Sequence, residues 1–136
     1  MSNSLYPLLF RPDFERQSWA GGRMGAFLGR EGDPEVEQAA MCWQLLDDGE
    51  NQSLVRNGDL EGTPLGKLVE HFPARLVGKR HAKDKPFPLC VRLLDVGEDQ
   101  PLFVHATQEL ADADETAGAH ANAKFWHALA ASTGAA

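Results

Sequence analysis

Five histidines are the residues in this chain best suited to metal chemistry: His71, His81, His105, His120 and His127. No two of them are spaced as HxH or HExxH, the patterns that bring two imidazoles to one metal ion. His105 alone follows a strand-like apolar run, where a side chain can point into a cavity. His105 is therefore the candidate metal ligand, with a structural or solvent-exposed histidine as the alternative.

The other reactive groups form no local catalytic motif. Cys42 and Cys90 lie in apolar segments without CxxC spacing, which favours two buried thiols over a disulfide, a zinc site or a redox pair. The basic loop over residues 79–85 could contact a phosphate, although a solvated charged loop is the alternative. No phosphate-binding glycine loop occurs, because the sequence around Gly21-Gly22 lacks the required Lys-Ser/Thr.

Charge and length narrow the class of protein. The 136 residues carry 13 Lys and Arg against 20 Asp and Glu, a formal net charge of −7. This balance argues against a nucleic-acid or anionic-membrane partner but permits a phosphorylated small molecule at a local basic site. Without a recognisable leader or an apolar stretch of about 20 residues, the chain is expected in the cytoplasm. The length predicts a single domain over residues 1–136.

Apolar periodicity predicts the elements that must position these groups. Strands are expected at residues 40–46, 53–56 and 87–96, the last buried on both faces. With residues 102–104, the last strand forms either a hairpin or two strands of a sandwich. Helical turns are expected around Met24 and Leu28, and a helix after Thr63 and Pro64 that Pro73 cuts or kinks. Residues 107–117 could form a further helix, while residues 122–129 are ambiguous. The pattern leaves an α+β or an all-β domain open and predicts a strand-dominated, mainly β core.

The order of short motifs resembles that of a known family. The motifs are Trp19-Ala20-Gly21, Asn57-Gly58, Gly62-Thr63-Pro64-Leu65-Gly66, Phe87-Pro88-Leu89, Leu93-Leu94-Asp95, Val104-His105 and Lys124-Phe125-Trp126. Together they resemble the N-terminal part of type I mannose-6-phosphate isomerases, zinc-dependent cupin enzymes, over about residues 5–129. The resemblance implies a partial cupin or jelly-roll β-sandwich with one or two short helices.

This sequence departs from the family at the positions that carry its chemistry. In the family, zinc is held by the Gln and His of a Gln-Val-His motif, the Glu of a Lys-Thr-Glu motif and a second downstream His. Here these motif positions are Phe103, the retained His105 and Lys124. A charged ammonium offers no lone pair to a metal, so Lys124 cannot replace the carboxylate as a zinc ligand.

Two further positions differ from the family, and at the first of them a polar position of the family's cavity has become apolar. Met41 stands where the family has the first Glu of Glu-Ser-Trp-Glu, and Arg92 stands where it has a Lys on the core strand. Arg92 and Lys124 are therefore the candidate substrate-binding residues, for the phosphate of a sugar. The alternative for Arg92 is a structural ion pair with Asp95 or another acid.

These departures predict a catalytically degenerate relative that acts as a small binding or assembly domain without zinc. The alternative is a zinc-dependent isomerase that interconverts mannose 6-phosphate and fructose 6-phosphate in carbohydrate metabolism. A partial jelly roll leaves sheet edges exposed, which predicts a homodimer or a partner chain at such an edge.

Overall fold

The structure is a computed structural model that describes residues 5–80, 87–101, 107, 109 and 123–132. The chain separates into two compact units, Met1–Gln100 and Pro101–Ala136. All the helices and strands named below belong to the first unit. The expectation of a single domain over residues 1–136 stays a prediction.

A three-stranded antiparallel sheet lies at the centre of the first unit. Its strands are β1 (Asp13–Arg16), β2 (Ala39–Leu45) and β3 (Val91–Leu94), in the spatial order β1-β2-β3. Phe14 pairs with Cys42, and Cys42 pairs with Leu93. Because side chains alternate along a strand, the next row, Glu15–Met41–Leu94, lies on the opposite face.

Four short helices accompany the sheet: α1 (Met24–Leu28), α2 (Pro34–Glu37), α3 (Leu65–His71) and α4 (Pro73–Leu76). Met24 of α1 and Val36 of α2 pack with Cys42 of β2, and Phe14 and Leu93 pack against this cluster. A second apolar cluster joins Leu68 of α3 to Val55 and Leu60. The sheet face that contains Cys42 is therefore the one that α1 and α2 cover.

Several expected elements are confirmed. The strand over residues 40–46 is β2, and the helical turns around Met24 and Leu28 are α1. The helix expected after Thr63 is α3, although Pro64 is its N-cap and Thr63 makes no capping hydrogen bond to it. Pro73 separates α3 from α4 and occupies the first turn of the second helix, where its missing N–H costs nothing.

The expectation for residues 87–96 is wrong in extent and in burial. β3 covers only four residues, and Val91 and Arg92 are exposed because β3 is an edge strand of the described sheet. Cys90 precedes the strand and is exposed, so the expectation of two buried thiols holds only for Cys42. Both thiols are free, and the proposed pairing partner at residues 102–104 lies outside the described residues.

Two further differences concern short segments. Residues 53–56 form isolated bridges, Leu54 with Pro64 and Val55 with Phe10, instead of a strand. β1 was not expected, because its sequence DFER contains a single apolar residue. Of the expected helix at 107–117, only residues 107 and 109 are described.

The mainly-β expectation is confirmed at the level of class: a three-stranded antiparallel sheet with short helices around it. The described part of the first unit holds four short α-helices and a 3-10 helix (Gly58–Leu60), more than the one or two helices expected. Within that part, no helix is long and apolar enough to cross a bilayer.

Candidate functional site

The sheet face opposite α1 and α2 presents a mixed row of side chains to its surroundings. We call it the outer face; it carries Asp13, Glu15, Met41, Trp43, Arg92 and Leu94. Asp13 and Arg92 are exposed and the other four are partly buried. The cross-strand pairs Trp43–Arg92 and Met41–Leu94 bring these side chains together from two strands about fifty residues apart in sequence.

Arg92 lies flat against this face. Its Cζ is 5.1 Å from the centre of the Trp43 ring, within the distance of a cation–π contact. Its Nη1 lies 3.7 Å from the Sδ of Met41, a weak acceptor. The guanidinium is thus held by an aromatic ring and a thioether, which leave its charge unneutralised.

The alternative of an ion pair between Arg92 and Asp95 is wrong. The two residues are three apart on an extended chain, so their side chains leave opposite faces. Asp95 is 6% exposed and accepts hydrogen bonds from the Arg23 Nε at 3.0 Å and from the backbone N–H groups of Arg23 and Met24 at 2.5 and 3.0 Å. Among the residues that the structure describes, Arg92 forms no ion pair.

Trp43 is in turn held from β1. Its indole Nε1 donates to Glu15 Oε2 at 3.4 Å, and Gln17 Nε2 donates to the other carboxylate oxygen, Oε1, at 2.8 Å. Contacts therefore run from Gln17 through Glu15 and Trp43 to Arg92, across all three strands. Sequence reasoning missed Glu15, because its place beside Trp43 depends on a strand that was not expected.

The structure describes two of the three candidate site residues, and these two lie in different units. Arg92 lies in the first unit, as just described, whereas Lys124 lies in the second unit and is exposed. His105 lies outside the described residues. The structure therefore brings Met41, Trp43 and Arg92 together.

The described residues do not provide a zinc site. Across residues 5–80, 87–101 and 123–132, no three His, Cys, Asp or Glu side chains are grouped closely enough to hold a metal ion. His71 is engaged locally, with its Nδ1 2.8 Å from the carbonyl oxygen of Lys67. On the outer face, Met41 stands where the resemblance gives a glutamate, so this position offers a thioether in place of a carboxylate.

The buried thiol is not a candidate nucleophile. Cys42 faces the helices, and burial raises the pKa of its thiol above the ordinary value, although a hydrogen bond from Gln44 opposes the shift. Since the thiolate is the reactive form, the raised pKa makes Cys42 a packing residue.

An apolar cleft of about 330 Å³ also opens on the first unit. Its lining residues are mostly leucine and aromatic side chains: Leu5, Tyr6, Leu8, Phe10, Leu45, Leu65, Arg75, Leu76 and Phe87. Among the described residues that line the cleft, Arg75 is the only charged one, so these residues offer no acid–base pair.

Comparison with known proteins identifies relatives of the chain. It is 29% identical over 126 residues to mannose-6-phosphate isomerase ManA of Bacillus subtilis (strain 168), a match that covers 90% of this chain and 37% of ManA. It is 28% identical over 110 residues to a second protein of that strain, "Probable mannose-6-phosphate isomerase GmuF", covering 81% of this chain and 33% of the relative. The chain thus spans about a third of the length of these curated relatives. No family profile matches it.

A solved structure agrees with these matches. The crystal structure of the mannose 6-phosphate isomerase from Bacillus subtilis superimposes with a TM-score of 0.65 at 29% identity, over 80% of this chain and 33% of the other. The resemblance expected from the motifs and the partial cupin class are both confirmed by this superposition.

Proposed function

Starting from the relationship of this chain to the N-terminal part of the mannose-6-phosphate isomerases, we propose that it is a binding domain for a phosphorylated sugar and does not isomerise the sugar by itself. The binding surface is the outer face, with Arg92 as the group that meets the phosphate. The single observation that carries the proposal is the exposed guanidinium of Arg92, which lies over Trp43 and has no acid partner among the described residues.

The chemistry of the outer face supports binding of an anion. Arg presents a planar fork of donors that matches a phosphate group in two parallel hydrogen bonds. The resemblance gives a Lys at this position, so the positive charge is kept while its geometry changes. The net charge of −7 for the whole chain does not oppose this reading, because a local cation dominates the field a few ångströms away.

The donor set supports the absence of isomerase activity. Of the positions in these 136 residues that the resemblance gives to zinc, only His105 offers a nitrogen, oxygen or thiolate donor, since the others are Phe103 and Lys124. A zinc site needs three or four such donors at about 2.0–2.3 Å. The alternative, a zinc-dependent isomerase of carbohydrate metabolism, requires replacement ligands, such as His120 or His127 of this chain or residues of a partner chain.

Binding is tested by titrating the protein with mannose 6-phosphate and, in parallel, with mannose, by isothermal calorimetry. We expect the phosphorylated sugar to bind and the neutral sugar not to bind. Arg92→Ala should weaken binding of mannose 6-phosphate at least tenfold, since it removes a charge-assisted pair of hydrogen bonds. Arg56→Ala, which removes an exposed arginine outside the outer face, is the matched control and should bind like the wild type.

Activity is tested on the same preparation. Metal content and interconversion of mannose 6-phosphate and fructose 6-phosphate are measured with and without added zinc, for the wild type and for Lys124→Glu. We expect no turnover in the wild type. Stoichiometric zinc together with turnover would overturn the proposal in favour of the isomerase.

Assembly is the second part of the proposal. The described sheet ends at β1 and β3, and an edge strand offers unpaired N–H and C=O groups to another strand. We propose a homodimer, or a partner chain, at an edge of this sheet. Operation in the cytoplasm and the single-domain organisation of residues 1–136 belong to the same proposal.

A further inference from the structure

We infer that Trp43, held by Glu15, is a positioning residue that keeps Arg92 ordered on the outer face and ready for a phosphate. The inference rests on the proposed function for its ligand, although the ordering of Arg92 stands on the contacts themselves. The proposed function gives the contact with the phosphate to Arg92, and the inference adds a positioning role for Trp43 and Glu15.

Arginine has a long side chain with many rotamers. A free, exposed Arg samples these rotamers, and binding a phosphate must fix one of them at a cost in side-chain entropy. Arg92 is exposed, yet its Cζ lies 5.1 Å from the Trp43 ring centre and its Nη1 3.7 Å from Met41 Sδ. These contacts already restrict the rotamers of Arg92 in the free protein, so less side-chain entropy is lost when the ligand binds.

The ring itself is held in place. Trp43 belongs to the central strand, and the cross-strand partner of Trp43 on β3 is Arg92. From the other side, Glu15 accepts the indole N–H at 3.4 Å, and Gln17 orients the Glu15 carboxylate through a 2.8 Å hydrogen bond. Glu15 lies on β1 and Arg92 on β3, on opposite sides of β2, and the two form no ion pair in the described part of the chain.

Glu15 has two opposite effects on phosphate binding, and a single substitution by alanine would change both at once. Removing its charge makes the local potential more positive, which favours anion binding. Removing its acceptor releases the indole, which disfavours binding. Glu15→Gln removes the charge and keeps an acceptor oxygen for the indole, whereas Glu15→Ala removes both. The difference between these two variants isolates positioning.

The first measurement needs no ligand. In the free protein, the Arg92 side-chain protons should show the upfield NMR shifts of groups above an aromatic ring. These shifts should disappear in Trp43→Leu, persist in Trp43→Phe and be smaller in Glu15→Ala than in Glu15→Gln. Random-coil shifts for Arg92 in the wild type would overturn the inference, whatever the protein binds.

The second measurement is the affinity for mannose 6-phosphate and for inorganic phosphate. Trp43→Leu should weaken binding about two- to fivefold, as expected for an exposed cation–π contact, and Trp43→Phe should weaken it less. Glu15→Ala should bind more weakly than Glu15→Gln. Equal affinities for the two Glu15 variants, or for the two Trp43 variants, would overturn the inference.

The two measurements also separate this inference from the proposed function. Shifted Arg92 signals without phosphate binding by the wild type would contradict the proposed function and support the positioning. Because Trp43 is partly buried, thermal unfolding of each variant is recorded alongside. The comparison Glu15→Ala against Glu15→Gln keeps the test intact if Trp43→Leu does not fold.

Discussion

At the residue scale, Asp95 shows how one buried carboxylate fixes the start of a helix. Both backbone N–H groups at the beginning of α1 and the Arg23 side chain donate to it, at 2.5 to 3.0 Å. Asp95 follows β3 directly, so these bonds connect the edge strand to α1 over more than seventy residues of sequence. Gly21 also lies against the Asp95 carboxylate, where a β-carbon would collide with it.

We expect Asp95→Ala to lower the free energy of unfolding by about 2–3 kcal/mol, because it leaves the buried N–H of Met24 without an acceptor and removes the part-buried hydrogen bonds from Arg23. The measurement is urea unfolding followed by circular dichroism. Glu61→Ala is the control; it breaks the Arg11–Glu61 pair at 3.1 Å, whose partners are both exposed, and should cost about 0–1 kcal/mol. Equal effects of the two variants would contradict the role given to Asp95.

At the residue scale, the sequence predicted the features that do not depend on which residues of two neighbouring strands face each other. Arg92 was found as a candidate from the resemblance, and Cys42 was found as a packing residue from its apolar surroundings. The contact between Arg92 and Trp43 could not be predicted from the sequence, because it depends on the register of β2 and β3. A shift of one residue would place these side chains on different faces of the sheet. The alternative of an Arg92–Asp95 ion pair was wrong for a related reason, because the two side chains lie on opposite faces.

At the element scale, apolar spacing predicted α1, α3 and β2, where the buried side chains recur with a clear period. It failed for β1, because three of its four residues are polar and give no apolar pattern. It also overestimated β3, because adjacent leucines in Val91–Leu94 resemble a strand buried on both faces. Position in the sheet, rather than the residues themselves, decides that this strand is half exposed.

Helix α2 provides a pH-dependent prediction at this scale. Asp33 is its N-cap: its Oδ2 accepts from the Arg30 side chain at 2.6 Å and its Oδ1 accepts from the Glu35 backbone at 3.0 Å. The Arg30 contact first, and then the backbone hydrogen bond, lower the pKa of Asp33 below its ordinary value of 3.8. A lowered pKa in the folded state means that the contribution of the carboxylate to stability is present above that value and is lost as the pH falls below it.

We therefore expect the wild type to lose stability more steeply than Asp33→Asn when the pH is taken from neutrality to below 3.8. Asn can still cap the helix but carries no titrating charge, so this substitution isolates the electrostatic part. The measurement is the urea midpoint at each pH. Glu31→Gln, an exposed acid before the cap, is the control and should follow the wild type. Parallel curves for Asp33→Asn and the wild type would contradict the assignment.

At the scale of the whole molecule, the relationship to the isomerases covers most of this chain but only about a third of the relatives. Framework residues carry the resemblance, while the positions given to zinc do not. The sequence alone could reveal this contrast, because it depends on residue types such as Lys124. What the sequence could not supply is the surroundings of each position, such as the thioether and indole that surround Arg92.

The sheet edge provides the last prediction. In the described part of the chain no strand lies beyond β3, whose first residue, Val91, is 39% exposed, with the exposed Leu89 close before it. An edge strand flanked by apolar side chains is a template for pairing with another strand.

We expect light scattering on the concentrated protein to give the mass of a dimer. Val91→Lys should return the protein to a monomer, because a lysine on an edge strand opposes the addition of another strand. Leu9→Lys, which places the same charge on a residue 50% exposed outside the sheet, should leave the dimer intact. A monomer at every concentration, or a dimer that persists in Val91→Lys, would exclude assembly through this edge; the monomer would then favour the pairing of β3 with residues 102–104 of its own chain.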